Sequence, residues 1–166
     1  MKTIAALSFA LCIPLLLAGA TQSQQLQDNY KFSETSPELE RRDQPVTEQD
    51  LRILKRADGL LSTPAAWNRH DTRICNPKAT TWSLFCVMEK ASEDVLGHLG
   101  YRAVALQEVR FVVEDAMRGS KTPFIHRLTD YNNLPATRFE DIKNVLKVAT
   151  NRVSARLTSQ GTNKAK

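Results

Sequence analysis

From Phe139 to Leu157 the chain carries one continuous apolar stripe: Phe139, Ile142, Val145, Leu146, Ala149, Val153 and Leu157 recur at helical spacing. A stripe of about five turns on one side of a helix must be buried against other elements, so the remainder of the chain has to cover it. Thr137-Arg138-Phe139-Glu140 stands in front of it as a capping box, a hydroxyl residue followed three positions on by a carboxylate.

Three further segments have the same period. Thr47-Glu48-Gln49-Asp50 is a second capping-box start, followed at helical spacing by Leu51, Leu54, Asp58 and Leu61, with Ile53, Ala57 and Leu60 widening the face. Ser62-Thr63-Pro64 ends that helix. A helix is predicted over 81–96, with Trp82, Phe85, Met88, Ala91 and Val95 apolar and Gly97 as its stop. Another is predicted over 101–117, where Ala103, Leu106, Val109, Val113 and Ala116 share a face and Gly119 takes the C-terminal cap. No alternating strand pattern and no Asn-Gly hairpin signal interrupts them. The expected fold is all-α, a bundle of four main helices.

The flanks read differently. Lys2, an apolar run from Ile4 to Leu17 broken only by Ser8 and Pro14, and the small residues Ala18-Gly19-Ala20 form a secretory pattern. The run is 14 residues long, and a spanning helix needs about 20, so 1–20 is expected to be a cleaved signal rather than an anchor. Residues 21–46 are rich in Gln, Ser, Glu and Pro and read as a disordered leader, because such a segment cannot bury enough surface to offset its ordering entropy. Within it, Arg41-Arg42 is a dibasic pair, a processing site or an ordinary charge pair. The helical domain is expected over 47–157, with 158–166 as a flexible tail.

Loss of the signal removes Lys2 and no acid, lowering the chain's +5 to a mild +4. A dedicated nucleic-acid binder has a denser basic footprint. It also removes Cys12, leaving Cys75 and Cys86. An even count in an exported chain argues for a disulfide, with two free thiols as the alternative. Bonded cysteines need Cα atoms about 4.4–6.8 Å apart. A straight helix from Pro77 would carry Cys86 some 13 Å up its axis at about 1.5 Å per residue. The bridge therefore requires residues 76–80 to loop back across the first turns.

Two connections are longer than a compact bundle needs, and long loops are often functional. One is Pro64–Thr80, with Trp67, Asn68, Arg69, His70, Asp71 and Arg73; the other is Ser120–Ala136, with His126, Arg127, Asp130, Tyr131, Asn132 and Asn133. Each clusters His, Arg and Asp beside an aromatic residue. If the loops meet, the candidate binding cleft comprises Trp67, His70, Asp71, Arg110, His126, Arg127, Asp130 and Asn132, edged by Trp82 and Tyr131. The structural reading is that Asp130 and Asn132-Asn133 shape the entry to the last helix, and that the arginines make ion pairs.

The run Trp67…Asp71-x-Arg73-x-Cys75, Trp82-Ser83-Leu84-x-Cys86, Val109-Arg110, His126-Arg127-Leu128-x-Asp130-Tyr131-Asn132-Asn133 and Phe139-x-Asp141-Ile142 resembles a family of small helical domains catalogued without an assigned function. The resemblance covers about 50–157 and is most specific in the His126–Asn133 string. It implies one coherent helical domain with both loops in its pattern, and implies no activity or cofactor.

The expected function is that of a secreted or periplasmic, non-catalytic interaction module whose partner is a protein or an anionic ligand outside the cytosol. The alternative is a small hydrolase resembling secreted phospholipases A2, with His70-Asp71 or His126 with Asp130 as the acid–base pair. Against it, the chain lacks a glycine-rich calcium loop and a cysteine directly before His70. No metal-ligand spacing, serine-nucleophile motif or phosphate loop is present. A third reading is an anionic surface met by Lys143, Lys147, Arg152, Arg156, Lys164 and Lys166, a stretch containing no acid after Lys143. No cofactor is expected.

Overall fold

The computed structural model describes residues 41–100, 103–119 and 124–164. The expected signal 1–20, the leader as far as residue 40, Tyr101 and residues 120–123 lie outside them. The described chain is helical: α1 (Glu48–Leu60), a 3-10 turn (Pro64–Ala66), α2 (Leu84–Leu96), α3 (Val104–Ala116), α4 (Arg127–Asn133) and α5 (Phe139–Lys164). Among the described residues there is no strand, only an isolated parallel bridge between Trp67 and Trp82.

α1 begins as its capping box dictates. The Asp50 backbone N–H donates to Thr47 Oγ1 (3.3 Å), and Asp50 Oδ2 accepts from the Thr47 N–H (2.9 Å). Asp50 is buried, and its other oxygen accepts from the Ala105 N–H at 3.0 Å. One carboxylate thus caps two helices, because the N-cap of α3 is Ala103, which offers no side-chain acceptor of its own.

α2 starts three residues later than the periodicity predicts. Trp82 is held in extended backbone, donating to the Ala66 carbonyl (2.8 Å) while its own carbonyl accepts from Asn68 N–H (3.0 Å). Ser83 is the N-cap, its Oγ accepting from Cys86 N–H at 3.2 Å, and Gly97 (φ 78°) closes the far end. Cys86 therefore lies in the first turn. Residues 76–80 loop back and bring Cys75 to disulfide distance, with Cα atoms 5.3 Å apart.

α1 packs on α2, α3 and α5, α3 on α4 and α5, and α2 on α4. α3 packs on three helices and is buried nearly all round, including Gln107, Glu108 and Arg110, where the periodicity predicts a single apolar face. Its Glu108 carboxylate faces α5 and accepts from Arg156 (2.7 Å) and Arg152 (3.4 Å).

The second loop is not irregular throughout: its core is α4. Asp130 Oδ2 accepts from the Ile125 and His126 N–H groups, each at 2.7 Å, and so caps the N-terminus. Leu128 and Tyr131 face the core. The box expected at Thr137 is shifted by one residue. Thr137 Oγ1 donates to the Tyr131 carbonyl (2.7 Å), while Asp141 Oδ2 accepts from Arg138 N–H (2.9 Å).

Both expected ends of the domain move outward. α5 runs on to Lys164, through residues read as a flexible tail. Thr158 and Ser159 hydroxyls bond back to carbonyls of the preceding turn. In the amide orientation that satisfies both atoms, Gln160 donates to the Val46 carbonyl (3.0 Å) and accepts from Val46 N–H (3.2 Å). Val46 is itself buried in the core. Residues 41–46, read with the leader, are docked: Arg42 bonds Asp115 (3.0 Å) and Glu114 (3.1 Å) and lies 4.6 Å above the Phe111 ring.

Candidate functional site

The two polar loops meet, and Asn132 joins them. It is fully buried, and its amide has four bonds. Oδ1 accepts from Trp67 Nε1–H (2.8 Å) and from Leu84 N–H (3.0 Å). Nδ2 donates to the Asn68 carbonyl (3.1 Å) and to Asn133 Oδ1 (3.2 Å). A single side chain thereby satisfies a half-buried indole, one of the unpaired N–H groups at the start of α2, and the first loop's backbone.

Asn133 continues the seam. Its Oδ1 accepts from Asp71 N–H (2.8 Å) and its Nδ2 donates to the Asp71 carbonyl (2.9 Å), reproducing a strand-like exchange with a side chain. Asp71 Oδ1 in turn accepts from Arg73 N–H at 2.7 Å. That turn holds Arg73 at φ 63°, the left-handed region that non-glycine residues occupy only when their surroundings hold them there. The Arg73 guanidinium contacts His126 Nε2 and lies 5.9 Å from the Phe85 ring centroid. A guanidinium is donor only, so Nε2 is the acceptor in that contact.

The structure brings Trp67, Asp71, His126, Asp130 and Asn132 into one connected set. His70 stands apart: its ring is exposed while Asp71 is buried, and no bond joins the two side chains. The pairing of His126 with Asp130 runs through the histidine's backbone N–H, leaving the ring against Arg73. Arg127 reaches Glu114 on α3 (3.5 Å) beside a cleft of about 400 Å³, and Arg110 is buried within α3. Tyr131 is buried, and burial raises its hydroxyl pKa.

Asn68, Arg73, Asn133 and Asp50 carry more of this architecture than the candidate set gave them. The signal for Asn132 and Asn133 was the amide pair itself, two side chains that can donate and accept at once beside a tryptophan needing an acceptor. Nothing in the sequence announces the left-handed Arg73.

Below the seam, Glu89 lies one turn past Cys86. Burial, then the charges of Glu93 and Asp71, raise its carboxyl pKa. With the disulfide cysteines, Trp82, Lys90 and Glu93 it lines a small cavity of about 100 Å³. Among the described residues no group of three or more His, Cys, Asp or Glu side chains is placed to hold a metal ion, and no helix is long and apolar enough to cross a membrane.

The class that this geometry defines is an all-α domain whose long loops are laced together by asparagine side chains, with a cysteine pair tying the first loop to α2. No protein-family model, curated protein or solved structure matches the chain.

Proposed function

We propose that the protein is an exported, non-catalytic interaction module that engages a protein partner through the tips of its two loops. The observation that carries this reading is the division between used and unused side chains there. Asn132 and Asn133 are committed to holding the loops together, and Asp71 and Asp130 each accept backbone N–H groups within their own loop. Beside them, Ile74 is 83% and Ile125 74% exposed, the large hydrophobic residues that the described surface leaves in water.

Along the chain these isoleucines adjoin Arg73 and His126, the two residues in contact across the loops. Paired apolar tips on a braced polar base are the composition of a contact surface. The cysteine pair and the amino-terminal secretory pattern support a working place outside the cytosol. The resemblance to small helical domains of unassigned function supports treating both loops as part of one design.

The test uses the secreted chain with a photo-crosslinking residue at position 74, and again at Arg52 as a control. An adduct formed at 74, absent at Arg52 and lost on Ile125→Asp, is the expected result. Both isoleucines are exposed, so Ile74→Asp and Ile125→Asp should change stability by no more than about 0.5 kcal/mol. Equal crosslinking at both positions, or none at 74, counts against the reading. Sequencing of the exported product should start at Thr21.

A further inference from the structure

A groove of about 690 Å³ runs between α1 and α5. Lys55, Asp58 and Gly59 form one wall, and the other runs from Phe139 to Asn151, about 18 Å of helix at roughly 1.5 Å per residue. The two helices are antiparallel, since Asp58 meets Lys143 at one end and Val46 meets Gln160 at the other.

Charge in the groove is separated along its length. At the Phe139 end, Lys143 is bound by the Asp58 carboxylate and carbonyl, and Glu140 lies beside it. One turn further along, the Lys55 side chain on α1 and the Lys147 side chain on α5 have no ion pair or hydrogen bond with any described residue. Farther down α5, Arg152 and Arg156 are matched by Glu108 and Asp115. Among the described side chains of the basic stripe, the uncompensated charge therefore lies in this groove.

Gly59 points the same way. It has no positive φ, and a Cβ built on it meets nothing within 4 Å. Neither backbone conformation nor packing within the domain calls for glycine there, although glycine weakens a helix relative to alanine. A side chain at 59 would stand in the open groove.

We propose that the groove binds a small amphipathic anion: a carboxylate or phosphate head between Lys55 and Lys147, with an apolar body along the lysine stems, past Gly59, to Phe139. The volume is that of a small-molecule site, and aliphatic lysine stems supply apolar wall while their ammonium groups take the head. A partner helix with an acidic face along its length would meet Glu140 and the already neutralised Asp58–Lys143 pair, whereas a ligand charged at one end meets positive charge at one end.

The test is calorimetric titration of the oxidised full chain with dodecanoate and dodecyl phosphate below their micelle concentrations, with dodecanol and inorganic phosphate as controls. Tryptophan emission is a second readout, because the Phe139 ring lies 6.3 Å from Trp67. We expect saturable one-to-one binding of at least one amphiphile, with both controls weaker. Two exposed charge contacts, each worth a few-fold, predict about tenfold weaker binding for Lys55→Ala with Lys147→Ala. Gly59→Leu should block binding without lowering the melting temperature. Absence of saturable binding, or wild-type affinity in both variants, overturns the proposal. So does an acidic amphipathic helical peptide that binds more tightly than the amphiphiles with the same variant pattern.

Discussion

Asn132 and Asp130 are two residues apart, both polar, and carry unequal weight. Asn132→Ala would leave the half-buried Trp67 Nε1–H and the fully buried Leu84 N–H without an acceptor. Each orphaned donor costs about 1–3 kcal/mol, so the two together should cost about 2–6 kcal/mol and lower the melting temperature by on the order of 10 °C. Asp130→Ala removes only the cap of a short helix, about 1–2 kcal/mol. Thermal unfolding of the two variants checks the order, and an Asp130 variant less stable than the Asn132 variant would contradict it. The candidate list held both residues. What the sequence could not rank was burial, which makes a side-chain bond costly to lose and depends on what packs over it.

At the scale of elements, the N-terminal arm, α3 and α5 are joined by charge. The Arg42 guanidinium, and after it Arg152, hold the Asp115 carboxyl down at about 2. A depressed carboxyl contributes stability that is present above its unfolded pKa, near 3.9, and is lost as pH falls toward 2. Arg42→Ala should therefore flatten the loss of stability between about pH 4 and 2 in acid unfolding curves. Glu89 on α2 has the opposite sign. Its pKa is raised by burial and by Glu93 and Asp71, so its charged form opposes folding as pH rises above the ordinary glutamate value of about 4.3. Glu89→Gln should raise the melting temperature at pH 7 and leave it unchanged near pH 3. An equal effect at both pH values would assign Glu89 a packing role instead. Helix starts were legible where the cap is local, as at Thr47. They were displaced where a distant group competes, as at Trp82, whose backbone is taken by the first loop.

For the whole molecule, the Cys75–Cys86 pair ties the first loop to the first turn of α2 at a separation of 11 residues. Closing a loop of that size is worth about 3 kcal/mol in the chain-entropy account. Reduction should lower the melting temperature by on the order of 10 °C, and the double variant Cys75→Ala with Cys86→Ala should match the reduced wild type. An unchanged melting temperature under reductant would mean that the asparagine seam alone holds the loop. The sequence by itself determined the helical class, the core faces of α1 and α5 and the loop-back that a cysteine bridge demands, because helical period, capping and covalent reach are local physics. Tertiary structure alone decided that the loops' polar residues brace one another, that α5 continues to Lys164 against Val46, and that Lys55 and Lys147 line one groove without partners. Each of those depends on which surfaces exclude water and which distant groups meet, and neither is written in the spacing along the chain.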